Sequence, residues 1–120
     1  MIPVCEPLIG EEELKFVTDC IRTNWISSQG QYIEQFEKKF AEYCGCKYGV
    51  TTTNGTTALH LALVSLGIGK FDEVIVPAFT MAASVMAIVY TNAKPILIDS
   101  DIDTWNIDTT QIEKRIKKNS

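Results

Sequence analysis

The chain of 120 residues predicts an α/β fold built on a parallel sheet. Val74-Ile75-Val76 and Ile96-Leu97-Ile98 are continuous apolar runs, as expected of strands covered on both faces. Apolar helical segments alternate with them, and Tyr48 to Thr52 adds a third strand-like run upstream. Strand–helix–strand–helix–strand implies right-handed crossovers within one sheet.

Composition sets the outer bounds. Hydrophobic residues make up 46% and charged residues 22%, which favours folding over disorder. The length allows one ordinary core. A net charge of -4 supplies no basic face for a nucleic-acid backbone. No run reaches the length of a membrane span, and the start lacks a basic segment followed by an apolar one. Cys5, Cys20, Cys44 and Cys46 fit neither a thioredoxin-like pair nor a mixed zinc site with the single His60. They read as reduced thiols of a cytoplasmic protein, and no metal is expected.

The elements follow in order. Pro3, Pro7 and Gly10 keep the first ten residues extended, and Glu11-Glu12-Glu13 opens a helix with acids at its positive end. Leu14, Val17 and Ile21 share one face of it, and it fades at Thr23-Asn24. The loop Trp25 to Gly30 mixes a large aromatic with small polar groups, as a binding edge or a turn would. A helix from Tyr32 to Cys44 is expected to bury Ile33, Phe36 and Phe40. Residues 1–46 thus form a helical arm and loop, and 47–120 an alternating β/α unit. That unit reads as strand Tyr48–Thr52, helix Thr56–Leu66 ended by Gly67, strand Glu73–Pro77, helix Thr80–Thr91 and strand Pro95–Asp99. Both helices are apolar almost all round, so both should be largely buried. Asp108-Thr109-Thr110-Gln111 matches a capping box, with Ile107 and Ile112 as a hydrophobic staple, and starts a last helix towards Lys118. The strand such a helix normally leads into does not follow, which hints at incompleteness.

Chemistry should gather where strands end, since ligands of open parallel sheets bind outside the carboxyl ends. Asn54-Gly55-Thr56-Thr57 lies between a strand-like run and an apolar helix, where free N–H groups and the helix dipole can hold a phosphate. An ordinary helix start, capped by Asn54 or Thr56, fits the same residues. Ala78-Phe79-Thr80-Met81 follows the next strand and could lie against a flat ring. Together these describe a site for a phosphorylated planar cofactor or a nucleotide. Gly67-Ile68-Gly69-Lys70 is not a P-loop, no G-x-G-x-x-G follows a strand, and Asp99 to Asp103 lacks the glycine and glutamate of a calcium loop. Asp99 to Asp103 reads as a polar turn, and His60 as a satisfied core histidine.

In order, these segments closely resemble the amino-terminal part of the DegT/DnrJ/EryC1/StrS sugar-nucleotide aminotransferases. The resemblance rests on Pro7 with Gly10-Glu11-Glu12-Glu13, on Asn24-Trp25-Ile26-Ser27-Ser28-Gln29-Gly30, and on Phe36-Glu37-Lys38-Lys39-Phe40-Ala41. It continues through Asn54-Gly55-Thr56-Thr57-Ala58-Leu59-His60, Asp72-Glu73-Val74-Ile75-Val76-Pro77 and Asn106-Ile107-Asp108. Trp-Ile-Ser-Ser followed by Gly and Tyr-Ile is most similar to perosamine-synthase-type members.

The resemblance implies the αβα large domain of fold-type-I enzymes that use pyridoxal 5'-phosphate (aspartate aminotransferase-like), incomplete here, in enzymes that are usually dimers. It implies that Gly55 and Thr56 hold the cofactor phosphate with Thr57 close by, and that Met81 covers the pyridine ring where relatives often place an aromatic. Met86 stands where relatives often carry asparagine. Trp25, Ser27 and Ser28 would lie on the substrate side. Glutamate and a 4-keto-6-deoxy sugar nucleotide would be the substrates of a cytoplasmic homodimer when full length. The family's Schiff-base lysine and pyridine-binding aspartate lie downstream of these motifs. Lys70 and Lys94 precede strands, at the opposite sheet edge, so no catalytic residue is expected here and residues 1–120 alone should not turn over. The alternatives are a non-catalytic phosphate-binding or subunit-assembly module, and an unrelated small α/β binding domain. A half-built sheet with an open edge should also make the isolated 120-residue chain poorly soluble.

Overall fold

The computed structural model describes residues 2–116. The chain divides into two compact units, Met1–Thr51 and Thr52–Ser120.

In the first unit, α1 (Glu11–Arg22) starts at Gly10, whose N–H donates to the Glu13 carboxylate at 2.7 Å. α2 (Gln31–Tyr43) is tied to α1 by Tyr32, whose hydroxyl donates to Asp19 Oδ2 at 2.7 Å. Its ring meets Phe16 edge-on at 5.2 Å. Ala41 is the one fully buried residue of α2; Phe36 and Phe40 stack at 5.4 Å yet stay about half exposed, contrary to the expected burial. The apolar stripe is present, but within the described residues no element covers it.

Residues 47–51 remain with α2. Thr51 directs both its N–H (2.8 Å) and its hydroxyl (2.9 Å) at Glu37 Oε1. The strand expected at Tyr48–Thr52 does not form. A strand is defined by its ladder, and here the Thr51 donor is taken by a side chain instead.

The second unit holds α3 (Gly55–Ser65), β1 (Glu73–Pro77), α4 (Ala82–Tyr90), β2 (Lys94–Ile98) and α5 (Thr109–Arg115). β1 and β2 pair in parallel with Glu73 opposite Lys94 and Pro77 opposite Ile98, and α4 is their crossover. Lys94 Nζ and Glu73 Oε1 lie 2.9 Å apart at the first rung, so Lys94 does sit where the strands begin. The core consists of Val76, Ile88 and Ala93, with Leu63, Ile68, Val74 and Val85 packed against it. α3 packs on α4. The expected burial of both apolar helices is met only in part: α4 buries Ala87 and Ile88, whereas α3 buries no residue fully. An apolar circumference requires covering on every side, and this unit supplies α3 with one neighbouring helix.

Four helices end alike. After α1, α2, α3 and α4 the chain turns left-handed at Asn24 (φ 60°), Gly45 (φ 67°), Gly67 (φ 77°) and Asn92 (φ 64°). At Gly67 the reversal places the Gly67 N–H on Val64 O (2.9 Å) and the Ile68 N–H on Leu63 O (3.0 Å). That is the Schellman arrangement, and Ile68 and Leu63 both reach the core beneath it.

The capping box expected at α5 does not form, and a simple cap on the second helical residue takes its place. Asp108 Oδ1 accepts the Thr110 N–H at 2.9 Å, but the Gln111 amide donates to Asp108 Oδ2 at 2.7 Å rather than accepting the Asp108 N–H. That N–H goes to Asp99 O at 2.9 Å, fixing the start of α5 to the residue that leaves β2. Ser100 and Ile107 add an antiparallel bridge, not foreseen from sequence, across the turn between them. Lys117 and Lys118, expected at the end of the last helix, lie outside the described residues.

Candidate functional site

The start of α3 shows how Asn-Gly-Thr-Thr distributes its hydrogen bonds. Asn54 is extended (φ -167°, ψ 171°), and its Oδ1 accepts the Thr57 N–H at 3.0 Å. Thr57 Oγ1 accepts the Asn54 N–H at 3.3 Å and donates to Asn54 O at 2.8 Å. The Ala58 N–H reaches Asn54 O at 3.1 Å. A helix opens with four amides that lack a partner in its own ladder. Here the cap and the first ladder bond take up Thr57 and Ala58, while the Gly55 and Thr56 N–H groups meet no acceptor among the described residues.

Gly55 sharpens the point. A Cβ at this position would meet nothing within 4 Å, and its φ is not in the left-handed region. Neither packing nor backbone conformation requires glycine there, although glycine in a helix is less stable than alanine by about 0.5–1 kcal/mol. What its missing side chain provides is clear access to two free N–H groups at the positive end of an 11-residue helix. Thr56, half-buried, adds a hydroxyl beside them. A phosphate ester fits this donor set without a basic side chain.

Met81 lies in the same unit, as the extended N-cap of α4 (φ -64°, ψ 139°), with its side chain 78% exposed. Thr80 Oγ1 and Ser84 Oγ stand 3.1 Å apart across that helix start. Trp25, Ser27 and Ser28 belong to the first unit. Ser27 Oγ donates to Gln29 O at 2.8 Å and accepts the Gln29 N–H at 3.2 Å, so that hydroxyl shapes its own loop. Trp25 lies beside Gly30, where a Cβ would stand 3.6 Å from the indole. Ser28 is exposed.

The acids after β2 form a turn. Asp101 Oδ1 accepts the N–H groups of Asp103 (3.1 Å) and Thr104 (2.8 Å) and the Thr104 hydroxyl (2.9 Å). These bonds, led by those of Thr104, hold the Asp101 carboxyl below its ordinary range. No group of acids, cysteines and His60 among the described residues is arranged to hold a metal ion. His60 is half-buried, its ring edge-on to Tyr90 at 5.8 Å.

Two features escaped the sequence reading. Phe79 and Trp105, from the loops after β1 and β2, meet at 5.3 Å, and Trp105 takes a left-handed backbone (φ 59°) while its N–H bonds Asp101 O. The Asp101-x-x-Thr104 spacing is the local signal for that turn. Glu37, for its part, anchors Thr51. The Thr51 N–H and hydroxyl, in that order, lower the Glu37 carboxyl below its usual 4.5. A lowered folded-state value means that the contact stabilises above about pH 4.5 and is lost as pH falls through the lower folded value. Amide spectra recorded from pH 6 to pH 3 should therefore show Thr51 losing its downfield shift below pH 4.5. In Glu37→Gln the Thr51 signal should not titrate, and a Thr51 signal indifferent to pH in the parent would refute the anchor.

Comparison with known proteins identifies the family. Residues 7–120 match the DegT/DnrJ/EryC1/StrS aminotransferase family. GDP-perosamine synthase of Escherichia coli O157:H7 is 51% identical over 115 residues, which cover 96% of this chain and 32% of that protein. A protein described as a sugar aminotransferase of Streptococcus pneumoniae, solved in its PLP form, superposes with a TM-score of 0.89 at 35% identity. That match covers 97% of this chain and 29% of the solved one. GDP-4-keto-6-deoxymannose-3-dehydratase, solved with PLP and glutamate trapped together, gives a TM-score of 0.85 at 26% identity, over 98% of this chain and 32% of that one. The chain therefore spans about a third of the length of these relatives. Its fold is the amino-terminal part of the α/β fold of PLP-dependent sugar aminotransferases, and the chain belongs to the DegT/DnrJ/EryC1/StrS aminotransferase family.

Proposed function

We propose that residues 1–120 carry the cofactor-phosphate grip of a cytoplasmic, homodimeric aminotransferase of perosamine type. It would move an amino group from glutamate to a GDP-linked 4-keto-6-deoxy sugar. The observation that carries this reading is the pair of free N–H groups at Gly55 and Thr56, in open space at a capped helix start. The similarity to GDP-perosamine synthase supports the substrate class.

Pyridoxal 5'-phosphate, when bound, supplies the electron sink and carries the amino group between the two substrates. This chain's contribution is placement. Gly55 and Thr56 would donate to the phosphate, and Thr57 and Asn54 would hold the helix start rigid. Met81 would lie against the pyridine ring through its polarisable sulfur. Trp25, Ser27 and Ser28 would face the substrate. No residue of this chain is assigned a proton-transfer role; on this reading the Schiff-base lysine and the pyridine-binding aspartate would lie outside residues 1–120, and these residues alone should be inactive.

The test uses the full-length protein with pyridoxal phosphate, ¹⁵N-glutamate and the GDP-linked 4-keto sugar. The expected result is ¹⁵N in the sugar product, with the visible absorbance of the enzyme shifting when glutamate alone is added. Cofactor bound without any transfer would favour the non-catalytic phosphate-binding module. No cofactor bound at all would end the proposal.

A further inference from the structure

The loop after β1 is tied at its two ends and free of backbone ties between them. At one end the Ala78 N–H donates to Ile98 O at 2.7 Å. At the other the Ser84 N–H donates to Met81 O at 3.0 Å, and Thr80 Oγ1 stands 3.1 Å from Ser84 Oγ. The N–H groups of Phe79, Thr80 and Met81 meet no acceptor among the described residues. What holds the middle of this loop is a side-chain contact, the Phe79 ring against the Trp105 indole at 5.3 Å.

Trp105 is held far more firmly than Phe79. Its N–H donates to Asp101 O at 2.9 Å, and the Asp101 N–H donates to Asn106 O at 2.8 Å. The Asp101 carboxylate closes the same turn by accepting two N–H groups and the Thr104 hydroxyl. The Ser100–Ile107 bridge and the Asp108 N–H on Asp99 O brace this turn against the end of β2. Within it Trp105 has a left-handed backbone (φ 59°), a conformation that suits glycine or asparagine and not a bulky aromatic. Neither ring belongs to the core of Val76, Ile88 and Ala93. Core packing therefore does not account for a tryptophan kept on this backbone, whereas its contact with Phe79 does. Both loops leave the carboxyl ends of the paired strands, the edge at which open parallel sheets bind ligands.

We propose that Trp105 is a positioning residue: its indole, presented by the Asp101 turn, fixes Phe79 and through it the Thr80-Met81 segment that would lie against the pyridine ring. The part that concerns the ring rests on the proposed function; the restraint on the loop does not. A segment already held in its binding conformation loses less freedom when the cofactor arrives, so the aromatic pair contributes to affinity without touching the ligand.

Full-length apoprotein labelled with ¹⁵N at glycine and threonine separates these parts. Thr80 reports the loop, and Thr104, whose N–H donates to Asp101 Oδ1 at 2.8 Å, reports the turn. Trp105→Gly removes the indole and leaves a residue that accepts the left-handed backbone. The expected result is a Thr104 signal that stays in place and a Thr80 ¹⁵N relaxation that shows faster motion. Phe79→Leu should loosen Thr80 equally, and the double variant no more than either alone. Trp105→Phe should restore most of the restraint. Affinity for pyridoxal 5'-phosphate should fall about 2- to 12-fold in Trp105→Gly, the worth of one aromatic pair, with Gly55 and Thr56 still responding at saturation. Thr80 relaxation unchanged in Trp105→Gly would overturn the proposal; were Thr104 to move as well, Phe79→Leu would decide in the same way. A loosened loop with unchanged cofactor affinity would make Trp105 purely structural and overturn its role at the ring. Should the cofactor leave Gly55 and Thr56 unmoved in the parent, the proposed function falls and the role at the ring with it. The Thr80 result would still decide whether Trp105 restrains the loop.

Discussion

Gly55→Asp is expected to abolish pyridoxal phosphate binding in the full-length protein while leaving the fold at least as stable. The two effects have opposite signs, and for that reason the substitution separates a ligand site from an ordinary helix start. A Cβ at residue 55 meets nothing within 4 Å, so the change introduces no clash. Removing a helical glycine contributes about 0.5–1 kcal/mol of stability. A carboxylate in the first turn adds about 0.3–1 kcal/mol through the helix dipole. Against a bound phosphate the same carboxylate is a like charge at contact distance, which costs several kcal/mol. The outcome to measure is a cofactor affinity reduced about 100-fold or more, beside an unchanged or higher unfolding midpoint. Were the apoprotein also destabilised, Gly55 would have to serve packing after all. Gly55→Ala should keep the stability gain and lose affinity far less.

Gly49→Ala should be the most damaging small substitution in the first unit. A Cβ at residue 49 would stand 2.6 Å from the backbone oxygen of Glu37, inside the middle of α2. A backbone oxygen in a helix cannot swing aside, so either α2 or the segment from Gly49 to Thr51 must move. Movement would also break the two bonds from Thr51 to Glu37, at 2.8 and 2.9 Å. Overpacking of this kind costs about 1–3 kcal/mol, and loss of the charge-assisted bonds adds to it. The overpacking cost alone, about 1–3 kcal/mol, should be visible as a clear fall in the denaturant midpoint. An alanine variant within about 0.5 kcal/mol of the parent would mean that residues 49–51 do not dock on α2 as described.

The parts legible in the sequence were those whose signal is local. Val74-Ile75-Val76 and Ile96-Leu97-Ile98 form the paired strands because β-branched apolar runs suit a covered parallel ladder. Asn54, one of the two caps the sequence offered beside Thr56, opens α3 because its short side chain reaches the backbone N–H three residues on. Gly67 ends the helix as expected, since it turns left-handed without steric cost. The parts that were not legible depend on partners distant in sequence. Tyr48 to Thr52 has strand composition, but strand formation depends on a neighbour, and composition does not name one. An all-round apolar pattern in α3 says that its surface suits covering, yet not by what. The Asp108 N–H was assigned to a local box, whereas Asp99 offered a better-placed acceptor across the turn. Trp105 in a left-handed backbone runs against its own preference, held through Asp101, and such a conflict is visible only in the fold. The donors at Gly55 and Thr56 belong to both classes: their position was legible, but their freedom appeared only once the cap had been traced.

The most direct test of the central claim is an amide titration of the full-length apoprotein, selectively labelled with ¹⁵N at glycine and threonine. Pyridoxal 5'-phosphate should move the Gly55 and Thr56 N–H signals strongly downfield as they donate to the phosphate. The Thr57 signal, already bonded to Asn54 Oδ1, should move little. Pyridoxal without its phosphate should leave all three nearly in place. Gly55 and Thr56 signals that stay still while the phosphorylated cofactor binds tightly would contradict the account, and would put the phosphate somewhere other than the start of α3.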